Sequence, residues 1–154
     1  MKKLILASLL LLFSFTAFSA SGVYEGFMAD MPLALEDWDT DTYKVGLLDN
    51  SHSFTSTDDT WADVSANEVS GTGYTAGGGT LDNCAVTEAD PVKLDCDDET
   101  WTITGSMSAY HAVIYNTSNS DALTASFDFG GVKTATDGTF TIQWNASGVL
   151  TIAD

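Results

Sequence analysis

The sequence predicts a single all-β domain of β-sandwich type, and three observations support this. Short runs rich in Val, Ile, Thr, Tyr, Phe and Trp recur along residues 43–152. Some alternate between apolar and polar positions, as Phe140, Ile142 and Trp144 do against Thr139, Thr141 and Gln143. Turn formers separate the runs, at Gly130-Gly131, Asp137-Gly138 and Ser147-Gly148. A period of two, broken at close spacing by Gly and Asp, marks short antiparallel strands packed as a sandwich.

The chain divides at residues 1–19, 20–36 and 37–154. Lys2 and Lys3 precede an apolar run over residues 4–15, and small residues follow at Ala17, Ser19 and Ala20. That is the layout of a secretory signal peptide, with cleavage expected after Ser19. The run is too short for a spanning helix, which needs about 20 apolar residues. No stable membrane insertion is therefore expected once the leader is removed. In the arm, residues 20–36, Tyr24, Phe27, Met28 and Met31 are spaced for one apolar helical face that Pro32 limits, and Leu33 and Leu35 follow. Strands are expected at 43–48, 80–86, 92–96, 101–104, 110–115, 123–129, 139–144 and 149–152. Residues 61–64 and Val69 are expected to flank a bend. The run Tyr-His-Ala-Val-Ile-Tyr at 110–115 reads as a central strand.

Charge narrows the partners. Beyond the leader, three lysines and no arginine face 22 acidic residues, a formal charge of −19. Such a surface repels polyanions, so nucleic-acid binding is excluded, and anionic membranes are disfavoured. Solubility and resistance to self-association are the plain consequences. Cys84 and Cys96 lie equidistant from Asp90, in strand-like runs joined by a turn. In an exported chain this pairing predicts a disulfide across a hairpin, contributing about 3 kcal/mol.

The stretch Asp63-Val64-Ser65-Ala66-Asn67-Glu68-Val69-Ser70-Gly71-Thr72-Gly73-Tyr74-Thr75-Ala76-Gly77-Gly78-Gly79-Thr80-Leu81 is the most distinctive in the chain. It resembles the hallmark of a family of small β-rich proteins encoded widely in tailed-phage genomes. Glu36-Asp37-Trp38-Asp39-Thr40-Asp41-Thr42-Tyr43-Lys44-Val45-Gly46-Leu47-Leu48 resembles that family's first strand and its approach. Residues 110–115 resemble its central strand, and residues 127–130 and 138–148 its closing hairpins. The resemblance runs from about residue 23 to residue 152. It implies a virion structural component, with capsid decoration or a head-fibre role as the assignments. The leader and the cysteine pair are not part of that pattern, and both suit an oxidising compartment.

Candidate chemistry is sparse. The glycines at 71–79 precede a strand and lack a nearby lysine, so they read as a sharply bent connection and not as a phosphate cradle. His52 and His111 are the only histidines, and no Gly-x-Ser-x-Gly elbow accompanies them. No enzyme activity is expected. Asp39 with Asp41, and Asp95, Asp97, Asp98 and Glu99, form carboxylate clusters that could supply part of a calcium shell of about six to eight oxygens. Neither cluster fits the EF-hand spacing, so a solvated acidic edge is preferred over calcium, and no other cofactor is expected. Trp144 alternates with Phe140 and Ile142, which marks it as core. Trp61 and Trp101 are the better candidates for an exposed stacking surface.

The expected function is that of a non-enzymatic virion structural protein acting through contacts with other subunits or with itself. The arm residues Tyr24, Phe27, Met28, Met31, Leu33 and Leu35 would dock on a neighbour or complete the sheet. The alternative is a secreted or periplasmic module that recognises a surface glycan or protein, with Trp61 and Trp101 as stacking residues. The location that follows is the virion, or an exported compartment, periplasmic or extracellular.

Overall fold

The computed structural model describes residues 21–88 and 90–152. The expected leader and its cleavage point lie outside the described residues. Two antiparallel sheets form a β-sandwich, as predicted. The larger sheet is built on one long hairpin, β6 (Glu99–Asn116) and β7 (Ala122–Ile142). β2 (Tyr43–Leu48) pairs with the far side of β6, and β3 (Gly79–Thr80) with β2. β1 (Gly22–Val23) pairs with β7, giving the order β1-β7-β6-β2-β3. The smaller sheet has the order β4-β5-β8, from β4 (Ala85–Thr87), β5 (Val92–Asp95) and β8 (Leu150–Ile152). Among the described residues, no helix is long and apolar enough to cross a membrane.

Around β2 and residues 111–116 of β6 the larger sheet is buried on both faces, which explains why β2 reads as a nearly unbroken apolar run. Val45 pairs with Ile114 and Leu47 with Ala112, and these four sit in the main core. Leu94, Cys96 and Val149, in or beside the smaller sheet, belong to the same core, with Trp38, Trp101, Phe140 and Ile142. On the opposite face Leu48, Val113, Tyr115 and Leu123 pack with Tyr24 and Val64, and with the partly buried Phe54 and Trp61. Gly46 is required here: a Cβ on it would overlap the indole of Trp61. Trp61 in turn stacks on Tyr115, with centroids 4.7 Å apart and planes 13° from parallel.

Two pairs of expected strands prove continuous. Residues 101–104 and 110–115 are parts of β6, and 123–129 and 139–142 are parts of β7. The turn formers between them act as irregularities inside a ladder. Register shifts fall between Ile103 and Ser106 and between Ala109 and His111, while Gly105, Gly130 and Gly131 take positive φ. The run 110–115 is central, as predicted, flanked by β2 and β7. The expected strand over 80–86 is interrupted. Asn83 adopts φ 51°, and its side-chain amide donates to Asp97 Oδ2, which separates β3 from β4. Residues Trp61–Val64, expected to flank a bend, form a one-turn helix, α2. The Asp63 carboxylate explains it, accepting from the backbone N–H of Thr60 and Asp59 at the open N-terminus.

The arm follows β1 as helix α1 (Glu25–Asp30) and a 3-10 turn, Met31–Leu33, which ends at Ala34 with φ 56°. Asn116 ties this arm to the sheet. Its buried Nδ2 donates to Glu36 Oε2 at 3.0 Å and to Asp41 Oδ2 at 2.8 Å. Its Oδ1 accepts from Ser118 N and Asn119 N, which shapes the β6–β7 turn.

Candidate interaction surfaces

The glycine-rich stretch is a packing device. Gly73 (φ +100°) presses on the backbone carbonyl of Thr102 in β6, and Gly78 (φ +73°) on that of Val45 in β2. Any side chain at either position would overlap a carbonyl oxygen. Between them Tyr74 turns inward, accepts from Leu47 N at 2.9 Å and donates to Glu68 Oε1 at 2.8 Å. Glu68 Oε1 also accepts from Gly77 N, and Tyr115 OH donates to Gly77 O. Burial drives the Tyr74 and Tyr115 phenols upward, Tyr115 to about 12, so both stay protonated donors at neutral pH. The stretch thus fastens β6 and β2 to the loop across them.

Cys84 and Cys96 form the predicted disulfide. The ladder pairs Ala85 with Asp95, so the cysteines occupy the next opposed positions of the β4–β5 hairpin. The cluster carboxylates are engaged locally. Asp39 Oδ1 accepts from Val86 N, and Asp41 Oδ2 from Asp37 N. Asp95 Oδ1 accepts from Cys96 N, and Asp98 Oδ1 from Trp144 N. Asp97 binds Asn83, and burial and nearby Asp82 hold Glu99 above its usual range. Among the described residues, no three His, Cys, Asp or Glu side chains are grouped to hold a metal ion.

The tryptophans correct the expectation. Trp101 is 6 % exposed and packs with Tyr74 and Phe140, because it shares the inward face of the β6–β7 ladder. It offers no stacking surface. Trp61 is half-buried with one face against Tyr115. Trp144, read as core from its alternation, lies past the end of β7 and is only partly buried. Its indole N–H donates to Asp97 O at 3.1 Å, and its ring lies 5.5 Å from that of Phe127.

The arm is divided. Tyr24 (0 % exposed) and Phe27 (3 %) are buried in this chain's own two cores, and Met31 packs against the main one. Those three are therefore not free to dock on a neighbour, since β1 pairing with β7 turns them inward. Met28, Leu33 and Leu35 are 56 %, 65 % and 49 % exposed. They are exposed apolar side chains on a segment whose Tyr24 and Phe27 are anchored in the cores.

His52 and His111 come together, which their sequence separation concealed. Both are buried, with ring centroids 5.1 Å apart, and His52 Nε2 lies 3.2 Å from Ser126 Oγ. Burial, then the neighbouring His111, pushes the His52 pKa down to about 4, against the opposing pull of Asp49. Burial also lowers His111, opposed by Asp128 and Asp49. Ser126 is 1 % exposed. The cluster is a sealed polar contact beneath the loop that carries His52.

A groove of about 590 Å³ runs along β7 and the segment that follows it. Phe127, Phe129, Phe140, Ile142 and Trp144 supply its apolar wall, and Lys133 is its charged member. Phe129 and Phe140 approach across it, with centroids 6.3 Å apart. The sequence signal for this groove was the aromatic alternation in two segments of one strand, visible only once those segments are joined. No family model matches this chain, and no curated protein or solved structure does so either.

Proposed function

We propose that this chain is a non-enzymatic structural protein of the tailed-phage type, joining a particle through protein–protein contacts. The observation that carries this reading is the exposure of Met28, Leu33 and Leu35 on an arm anchored by Tyr24 and Phe27. Exposed apolar side chains grouped on a fixed scaffold are the usual makings of a contact surface. The resemblance over residues 63–81 supports the same reading, because its distinctive residues make the fold. Replacing Met28, Leu33 and Leu35 together by Asp tests it. Particle association should be lost while the melting temperature stays within a few degrees. Association retained at the wild-type level would refute the arm's role.

The groove favours a second reading, a secreted or periplasmic module that recognises a protein or a surface glycan. Half-exposed Trp144 beside Phe127 is the aromatic surface such a module would use. Loss of binding on a glycan array in the Trp144→Ala variant would support the glycan form of it.

A further inference from the structure

We propose that the loop over residues 49–60 is an acid-released clasp. Protonation of the buried His52–His111 pair frees this loop and, with it, the β1 strand that the loop holds against β7. The arm from Phe27 onward stays in place. The device goes beyond the reading above and holds whether or not the chain joins a particle.

The loop has one buried anchor, and it is titratable. Between residues 49 and 60 only His52 is buried. A purely structural anchor would be apolar. The His52 ring instead meets His111 of β6, with centroids 5.1 Å apart, and Ser126 of β7. These are the chain's only two histidines, far apart in sequence, and they meet at this seam. The loop in turn closes over β1. The Phe54 ring fills the space that a Cβ on Gly22 would need, and it packs on Tyr24 with centroids 5.0 Å apart. Ser56 O accepts from Glu25 N at 2.9 Å, and Ser56 Oγ donates to Glu25 Oε1 at 2.7 Å. β1 is only Gly22 and Val23, paired with Ser126 and Ala125, so it leans on the loop. By contrast Phe27 is set in the main core, and Asp30 accepts from Asn119 Nδ2. The seam therefore parts before Phe27.

The contact disfavours charge. Both imidazoles are 3 % exposed, and Ser126 offers a hydroxyl without a charge. Two carboxylates face the pair: Asp49 at the root of the loop, and Asp128, opposite His111 on β7. Asp49 Oδ1 also accepts from Ser51 N, and Asp128 Oδ1 from Gly130 N. Asp58, in the loop, faces the Tyr24 phenol. Burial outweighs the pull of Asp49 and Asp128, so both rings are held neutral. A proton on either ring opposes a proton on the other. An opened loop returns His52 to water and to its ordinary value of 6.5. The opened chain therefore binds more protons than the closed one between about pH 6.5 and 4, and opening becomes easier as pH falls through that window. It uncovers the part of the second core that Tyr24 and Phe54 cover.

The test follows backbone hydrogen exchange in the full oxidised chain by NMR between pH 7 and 4.5, with rates corrected for intrinsic exchange. The amides of Tyr24, Glu25 and Asp58 donate at the seam, to Thr124, Ser56 and Thr55. Their protection should fall about tenfold per pH unit below pH 6.5. Protection of Leu81 and Val149, which donate to Tyr43 and Leu94 away from the seam, should not change. His52→Gln combined with His111→Gln should keep the protection seen at pH 7 and abolish its pH dependence. Should that double variant fail to fold, the imidazole C2 protons of the wild-type chain decide, and both should titrate below their ordinary range. Titration of both near pH 6.5 with protection intact would overturn the proposal. So would protection that is independent of pH, or an equal loss at Leu81 and Val149, which is global acid unfolding. A slope that survives in the double variant would also overturn it, because the carboxylates would then be the sensors.

Discussion

Replacing Gly73 by alanine should cost far more than the same change at Gly105, although both glycines have positive φ. At Gly105 (φ +79°) a Cβ meets nothing within 4 Å. Only the left-handed backbone is penalised there, by about 1–2 kcal/mol. At Gly73 (φ +100°) the same penalty applies, and the Cβ also overlaps the carbonyl of Thr102. That carbonyl belongs to β6, where the neighbouring Thr104 bridges to Thr72, so relief requires displacing one backbone from the other. Overpacking of this kind adds about 1–3 kcal/mol. The total, about 2–5 kcal/mol, is a large share of the roughly 5–15 kcal/mol that holds a domain folded. It should lower the melting temperature by roughly 8–20 °C. Gly78→Ala, aimed at Val45, should behave like Gly73→Ala. Urea unfolding followed by circular dichroism, on all three variants at neutral pH, measures the difference. Equal losses at Gly73 and Gly105 would refute the packing role of the stretch. A ligand-cradle role would instead leave only the backbone penalty, the same loss as at Gly105.

Three further outcomes follow from the structure. Reducing Cys84–Cys96, or replacing both by Ser, should lower stability by about 3 kcal/mol in urea titrations with and without reductant. His52, at about 4 in the folded chain and near 6.5 when unfolded, binds more protons in the unfolded state between those values. Its contribution is therefore fully present above about pH 6.5 and is lost as pH falls toward 4, by up to about 3 kcal/mol, and His52→Gln should flatten the slope between pH 7 and 5. Asn116→Asp should destabilise the chain by about 2–4 kcal/mol at neutral pH, more than Asn116→Ala does, because it sets a buried carboxylate against Glu36 and Asp41 in place of a donor.

The sheets were legible because period-two patterns and turn residues act locally. The disulfide was legible because the two cysteines stand symmetrically about a turn. Strand continuity was not. Gly130-Gly131 reads as a chain reversal, whereas the structure uses it as an irregularity within β7, and whether a glycine turns or bends a chain depends on the strand alongside. The same nonlocality misplaced the tryptophans. Alternation correctly put Phe140 and Ile142 inside, but β7 ends at Ile142, so the pattern no longer governs Trp144. Trp101, read as a candidate for exposure, is turned inward by its pairing with Phe140 across the ladder. The arm was half legible. Its helical spacing grouped Tyr24, Phe27, Met28 and Met31, but pairing of Gly22 and Val23 with β7 decides which of them turn inward. The meeting of His52 and His111 depends on a loop folding back over the sheet, and local pattern carries no record of that.

Mass spectrometry on purified particles and on the particle-free supernatant of a producing culture is the most direct measurement to make. It should read the amount of the chain, its N-terminus and the state of Cys84 and Cys96. A virion structural protein should be enriched with particles in fixed proportion to the major subunit, with the disulfide intact. Recovery of an oxidised, processed chain only in soluble or envelope material would contradict that role and leave the exported binding module in its place.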